Sequence, residues 1–351
     1  MPSSIYRQFS AVAAAIIGLC VMSAAAQTLT SRNILDRPER PQPTLKITYG
    51  AHADQYGELW LPKASSGLPV KLPTEVLNKL LPVVVLVHGG CWRADLPGPE
   101  LVAFLAEALR EKGVAVWSIT YRRVGTKASS RDENFSPYPD TFRDVAAAAE
   151  KLVEIAPKHQ LDLSRVVATG HSAGGHLAMW LAARPRLPQD SPLYSPLYSP
   201  SYSPSYSALY SPSHSPPSAT SAAKPLAIKG VVGIAAMPDL QYAKAASAHA
   251  CGADTVDLLV NTKDRKDAAY LDTSITPLLP LGVPQIMISG VYDAIVAPAQ
   301  AFRHRERAKA KGDVVTLLTI DEAGHFELIA PWTAPGKRVV ETIIDALKET
   351  P

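Results

Sequence analysis

Ser172 lies in the stretch Gly170-His171-Ser172-Ala173-Gly174, which matches the pattern G-x-S-x-G. The stretch follows a predicted buried strand and precedes a predicted helix, and in that context a sharp turn exposes a nucleophilic serine. The turn needs small neighbours, and the free N–H groups that begin the helix favour negative charge. The pattern therefore predicts attack by Ser172 on a carbonyl carbon, in preference to a structural turn.

A serine hydroxyl needs a general base to become a nucleophile. Among the nine histidines, His325 follows a late predicted strand in a Gly-flanked loop, which is the position expected of that base. His171 and His176 flank the serine, and we expect them to pack or to form local hydrogen bonds.

The base in turn needs a carboxylate that fixes its tautomer and stabilises its charged form. Asp293 follows a strand that immediately precedes the histidine strand, and Asp239 follows an earlier one. Asp239 is the main alternative but lies farther from the histidine strand in the predicted topology, so Asp293 is preferred. The order Ser172, Asp293, His325 is then that of a catalytic triad.

The stretch HGGCW at 88–92 ends another predicted buried strand. Its glycines let the backbone turn N–H groups towards a developing oxyanion. The expected donors are the N–H of Gly90 or Cys91 and that of Ala173, the residue after the nucleophile. The alternative is a tight turn without a catalytic role. The supporting residues of this loop are His88, Gly89 and Trp92.

Strand-like and helix-like segments alternate along the chain. Strands are predicted at 45–50, 57–62, 82–88, 114–121, 164–170, 228–236, 284–290 and 314–320. Helices are predicted at 98–113, 138–156, 173–183, 297–312 and 336–349. This alternation predicts a mostly parallel central sheet with helices on both faces. Ligands bind at the carboxyl ends of the strands in such sheets, which is where the candidate residues fall.

The N-terminal region has two predicted parts. Residues 1–26 combine a single charge, an apolar stretch and Ala24-x-Ala26, which are typical of a secretory signal peptide. The protein is therefore expected to be exported, to the periplasm or beyond, with no membrane span after cleavage; a retained anchor is the alternative. Residues 27–44 are polar and Pro-rich and predict a loose leader before one domain at 45–350.

Two segments interrupt or cover this domain. Seven Ser/Pro/Tyr-rich tetrads at 191–218 predict a disordered insertion on the face opposite the chemistry. Residues 237–282 leave the carboxyl end of a strand and predict a small cap over the site. Cys251 in this cap and Cys91 lie on the same side of the sheet, so we expect that they can form a disulfide; two separate buried thiols are the alternative.

Composition excludes several classes of function. The formal net charge is only +3 and no Lys/Arg cluster stands out, so nucleic acid is not an expected partner. The chain has neither metal-ligand spacing nor a phosphate-binding loop, so no metal or cofactor is expected. The expected partner is a small molecule.

The motifs HGGCW, GHSAGG and GHFE, with Asp293 at a strand end, resemble the α/β-hydrolase superfamily of serine hydrolases. They are most similar to the esterase/lipase branch with an HGG-x-W loop, which includes kynurenine formamidase-like and feruloyl or acetyl-xylan esterase-like enzymes. The likeness spans 45–350 apart from the repeat. Cys91 stands where many relatives have a third glycine.

This resemblance implies an α/β-hydrolase fold with a small cap after the sixth strand. It also implies a cofactor-independent enzyme that cleaves a carboxylic ester through an acyl-enzyme on Ser172, with His325 as base and Asp293 as its orienting acid. An arylformamidase or other amidase and a small serine peptidase are the enzymatic alternatives. A non-catalytic binding protein on the same scaffold is the alternative of another class.

Overall fold

The computed structural model describes residues 28–62, 80–125, 137–195 and 226–348. Within these ranges the strands are β1 (Leu45–Thr48), β2 (Tyr56–Trp60), β3 (Leu81–Val87), β4 (Ala115–Ile119), β5 (Leu161–His171), β6 (Gly230–Ile234), β7 (Gln285–Gly290) and β8 (Val315–Ile320). They form one sheet in the order β1-β2-β4-β3-β5-β6-β7-β8. Pairing is antiparallel between β1 and β2 and between β2 and β4, and parallel elsewhere. The predicted mostly parallel sheet is thus present.

Helices connect the parallel strands. They are α1 (Ser31–Leu35), α2 (Ala103–Glu111), α3 (Asp140–Ile155), α4 (Ala173–Ala183), α5 (Leu240–Ala246), α6 (Ala248–Cys251), α7 (Thr255–Val260), α8 (Thr262–Arg265), α9 (Ala299–Lys309) and α10 (Ala334–Lys348). Every residue of α4 is buried, because this helix lies in the centre of the molecule. In the part of the chain that the structure describes, no helix is long and apolar enough to cross a membrane.

Parallel register brings the functional loops to one edge of the sheet. Val87 at the end of β3 is paired with Gly170 in β5, and Gly170 is paired with Gly233 in β6. At the far side of the sheet Gly290 is paired with Ile320, so β7 and β8 end together. The loops that follow β3, β5, β7 and β8 therefore emerge side by side, which is what a site built from several strand ends requires.

The N-terminal segment predicted to be a loose leader is docked onto the domain over residues 28–44. Ile34 in α1 is completely buried. The Arg37 guanidinium lies 4.1 Å from the centroid of the Trp332 ring, and Arg110 donates a hydrogen bond to the Gln42 carbonyl at 3.1 Å. These contacts help to hold the segment in place, despite its polar composition.

The segment 237–282 folds as short helices, α5 to α8, after β6. Its α6 reaches the loop after β7, where His249 Nε2 lies 2.7 Å from the Ala294 carbonyl oxygen. The predicted signal peptide at 1–26 and repeat residues 196–218 lie outside the described residues. The first repeat residues contact the domain: Ser191 Oγ donates to Asp272 at 2.6 Å and Leu193 is 8% exposed.

A buried carboxylate joins three parts of the fold near the end of β4. Asp144 of α3 is 1% exposed at its side chain. It accepts hydrogen bonds from the Arg122 guanidinium at 2.7 and 2.8 Å, from the Arg122 backbone N–H at 2.9 Å and from Gln55 Nε2 at 2.7 Å. Its removal leaves the Arg122 charge partly buried without this partner.

We therefore expect Asp144→Ala to lower the free energy of unfolding by about 1–3 kcal/mol, because buried donors lose their acceptor while Arg122 keeps its ion pair with Asp140. Urea denaturation measures this change. The matched control is Asp345→Ala, which breaks an exposed pair with Lys348 and should cost less than about 1 kcal/mol. Equal effects in the two variants would contradict the assignment of Asp144 as a structural anchor.

Candidate active site

Ser172 occupies a strained turn between β5 and α4. Its backbone has φ 57° and ψ −121°, a region that non-glycine residues rarely adopt and that costs about 1–3 kcal/mol. The Ser172 N–H donates to the Ile234 carbonyl at 2.8 Å, which ties the turn to β6. Such strain at the end of a strand is the geometry that presents a nucleophilic hydroxyl.

Two glycines let neighbouring strands approach this turn. A Cβ on Gly174 would lie 2.1 Å from the Val87 carbonyl oxygen, and one on Gly170 would lie 2.3 Å from the Gly174 carbonyl oxygen. No side chain fits at either position. The small residues around Ser172 are therefore a packing requirement of the turn.

The structure brings His325 and Asp293 together. His325 Nδ1 lies 2.7 Å from Asp293 Oδ2, and both residues are buried. The other carboxylate oxygen, Oδ1, accepts the backbone N–H groups of Ile295 at 2.9 Å and Val296 at 2.7 Å. Nδ1 of the neutral imidazole must then carry the proton, which leaves the Nε2 lone pair available as a base.

Asp239, the alternative carboxylate, binds other partners than His325. It caps α5 by accepting the Tyr242 N–H at 3.1 Å, and it forms a short ion pair with Arg307. Asp239 follows β6, which is separated by β7 from β8, the strand that precedes His325. The structure therefore assigns the histidine's carboxylate partner to Asp293.

The HGGCW loop contains three successive residues with positive φ: Gly90 at 97°, Cys91 at 50° and Trp92 at 55°. A Cβ on Gly90 would lie 2.4 Å from the Pro97 carbonyl oxygen, so only glycine fits there. Gly90 and Cys91 line the same cavity as Ser172. Ala173 is the first residue of α4, and its N–H is among those that have no acceptor within the helix.

His88 and Gly89 of this loop are buried and pack against neighbouring residues. A Cβ on Gly89 would lie 2.9 Å from the His171 carbonyl oxygen. The His88 ring stacks on Tyr121 with centroids 4.6 Å apart, and burial, reinforced by the charge of Arg123, lowers the pKa of His88 to about 3. His88 is therefore a neutral packing residue.

Trp92 and His176 pack against each other behind the loop. Trp92 is fully buried, and its ring meets that of His176 edge-on at 5.5 Å. His176 Nε2 lies 2.7 Å from the Thr273 carbonyl oxygen, and burial lowers the pKa of His176 to about 4. His176 is thus packed as expected, but its hydrogen-bond partner is distant in sequence and links α4 to the segment 237–282.

His171 has a closer relation to the site than its predicted local role. Its ring lies 4.3 Å from that of His325, and its Nε2 is 3.0 Å from the His325 carbonyl oxygen. Burial, with the adjacent His325, holds the pKa of His171 well below its usual range. The neutral ring therefore donates from Nε2 and positions the His325 backbone.

Ser172 and His325 open into one cavity of about 240 Å³. Several lining residues were absent from the sequence-based candidates: Thr30, Ser31, Leu96, Pro97, Leu101, Ala250, Ile295 and Phe326. Phe326 follows His325 in the GHFE motif, whereas the N-terminal residues and those at 96–101 reach the cavity through tertiary packing. In the described ranges, no group of three or more His, Cys, Asp or Glu side chains is arranged to hold a metal ion.

A disulfide joins Cys91 to Cys251, with their Cα atoms 5.3 Å apart. Of the two states left open by the sequence, the structure has the bonded one. The bond connects the HGGCW loop to α6 of the segment 237–282, whose residue Ala250 lines the cavity. Two walls of the cavity are thus covalently joined.

Because this disulfide closes a loop of 160 residues, Cys251→Ser should lower the free energy of unfolding by about 2–5 kcal/mol. Urea denaturation with and without reductant measures this. Reductant should lower the free energy of unfolding of the wild type to that of the variant, and should leave that of the variant unchanged. Two free thiols on alkylation of the non-reduced protein would falsify the bonded state.

Comparisons with known proteins place this geometry in a family. The family model of BD-FAE, an α/β-hydrolase esterase family, matches residues 68–307. The chain is also 29% identical over 154 residues to a Fusarium protein named Hydrolase LUC6. That match covers 39% of this chain and 35% of the relative, so the chain spans about a third of the relative's length.

Solved esterase structures share the fold. Esterase B from Lactobacillus rhamnosis has a TM-score of 0.62 at 18% identity, covering 91% of this chain and 88% of that one. The acetyl ester-xyloside bifunctional hydrolase from Caldicellulosiruptor lactoaceticus has a TM-score of 0.59 at 14% identity, covering 88% and 96%. The sheet, the helices and these similarities confirm the predicted α/β-hydrolase fold. On the match over 68–307, the chain belongs to the BD-FAE family.

Proposed function

We propose that this protein is a serine hydrolase that cleaves small carboxylic esters through an acyl-enzyme on Ser172. The observation that carries the proposal is that His325, which is hydrogen-bonded to Asp293, lines the same cavity as Ser172 on its strained turn. The cavity of about 240 Å³ is smaller than the roughly 300–1,000 Å³ of typical drug-sized pockets, which favours a small ester. Membership of an esterase family supports the same reaction.

In the first half-reaction, His325 Nε2 takes the proton of Ser172 Oγ while Oγ attacks the ester carbonyl carbon. The carbonyl oxygen becomes an oxyanion, which accepts hydrogen bonds from the N–H of Ala173 and from that of Gly90 or Cys91. Collapse of this intermediate breaks the ester bond. The proton on His325 passes to the leaving alcohol, and the acyl group stays on Ser172.

In the second half-reaction, His325 takes a proton from water, and the resulting hydroxide attacks the acyl carbon. The second oxyanion uses the same donors, and its collapse releases the carboxylic acid and returns the proton to Ser172 Oγ. Asp293 stabilises the imidazolium in both halves. Its own two backbone N–H partners keep the carboxylate in place while the charge moves.

We also propose that the protein is exported, with residues 1–26 as its signal peptide. The Cys91–Cys251 disulfide supports this proposal, because such bonds persist in oxidising compartments and are rare in the cytosol. Mass spectrometry of protein secreted by the native cell tests it. An N-terminus at Gln27 is expected, and an uncut chain would contradict it.

The central test is hydrolysis of p-nitrophenyl acetate, butyrate and octanoate by the wild type and by Ser172→Ala. Loss of the nucleophile should lower kcat by at least about 10³-fold. Ser164→Ala is the matched control, because Ser164 lies on the same strand but towards its other end, bonded to Asp162. A fluorophosphonate probe should label the wild type and not Ser172→Ala. Undiminished turnover by Ser172→Ala would overturn the proposal.

A second test separates the two carboxylates. Asp293→Asn should lower kcat by roughly 10³–10⁴-fold, because an amide in this place no longer fixes the productive tautomer or stabilises the imidazolium. Asp239→Asn is its control and should retain kcat, since Asp239 bonds Tyr242 and Arg307 instead. Similar losses of kcat in both variants, with both folded by circular dichroism, would contradict the role given to Asp293.

A further inference from the structure

The N-terminal arm, defined as residues 28–37, forms part of the catalytic cavity. Thr30 and Ser31 lie at the start of α1 and line the cavity together with Ser172 and His325. Thr30 is exposed and Ser31 is partly buried, so both lie at the boundary between the cavity and solvent. A group bound in the cavity therefore meets the arm as one of its walls.

The arm is fixed next to the catalytic histidine by Glu327. This buried carboxylate accepts the backbone N–H of Gly324 at 3.0 Å through Oε2, and the backbone N–H of Leu29 through Oε1. A Cβ on Gly324 would lie 3.0 Å from Thr28 Cβ, so the arm packs directly on this loop. One side chain thus holds both the arm and the loop that carries His325.

The rest of the arm is anchored away from the cavity. Ile34 is completely buried, and Arg37 stacks on Trp332. Arg40 donates to the Leu35 carbonyl at 2.5 Å, just beyond the helix. These contacts set the position of α1, so the two residues at its start have a defined place relative to Ser172.

We infer that the arm determines which esters the enzyme accepts, with Ser31 and Thr30 limiting the size of the group that fills the cavity and Glu327 acting as the positioning residue. The substrates are small esters whose short chain fits beside two small hydroxylated side chains. This inference rests on the proposed esterase activity and adds to it the element that selects the substrate.

The test measures kcat/KM of the full chain for p-nitrophenyl acetate, butyrate and octanoate in Ser31→Leu. The larger side chain takes up space at the cavity wall, so longer chains should suffer more than acetate. One methylene in an apolar pocket changes kcat/KM by about 10–200-fold. We therefore expect the butyrate-to-acetate ratio to fall roughly tenfold or more.

Arg32→Leu is the matched control, because it places the same side chain one residue along the same helix, at an exposed position outside the cavity lining. Its ratio should equal that of the wild type. Ser31→Thr is a smaller step that should change the ratio in the same direction and by less, and it keeps the test usable if Ser31→Leu does not fold. An unchanged ratio in folded Ser31→Leu or Ser31→Thr would overturn the inference.

Glu327→Gln tests the docking. A neutral amide offers only one acceptor oxygen to the two N–H groups, so the arm should loosen and the octanoate-to-butyrate ratio should rise. An equal fall in kcat/KM for all three esters, which leaves the octanoate-to-butyrate ratio unchanged, would overturn the positioning role, because damage to the His325 loop alone has that effect. Failure of the wild type to hydrolyse any ester or to bind the fluorophosphonate probe would instead refute the proposed function itself.

Discussion

The strained backbone of Ser172 is the constraint on which the rest of the site depends. A serine at φ 57° and ψ −121° persists only where its surroundings enforce that conformation. The turn lies between the buried strand β5 and α4. The glycines at 170 and 174 leave room for the backbone of β3. The same close approach brings the loop after β3 to the serine, so the positions of Ser172 and of the HGGCW loop depend on the same packing.

A second chain of contacts fixes the position of His325. Two backbone N–H groups hold Asp293, and Asp293 holds Nδ1 of His325. The neutral ring of His171, directly before Ser172, donates a hydrogen bond to the carbonyl of His325. Ser172 and His325 are therefore connected through the His171 contact as well as through the cavity, and a shift of β5 would move both.

The sequence predicted what depends on local chemistry. The β-branched runs specify the buried strands, and the tight turn at Ser172 leaves a recognisable pattern of small residues, so the fold and the grouping of Ser172 with Asp293 and His325 were accessible. The docking of the arm could not be predicted from the sequence, because it depends on burial of Ile34 and on Glu327, which is far from the arm in sequence. The bonded state of Cys91 and Cys251 also required three-dimensional proximity, which spacing in a sequence does not supply.

The cavity has two outer walls held by different chemistry. A covalent bond between Cys91 and Cys251 joins α6 to the HGGCW loop, whereas the arm is held by hydrogen bonds to Glu327 and by burial of Ile34. Reduction of the disulfide affects the wall formed by α6 and the HGGCW loop. Substitutions in the arm affect the other wall and leave the disulfide intact. Because both walls border the cavity that Ser172 and His325 line, we expect substitutions in the arm to change the accepted substrate size while leaving Ser172, Asp293 and His325 in place.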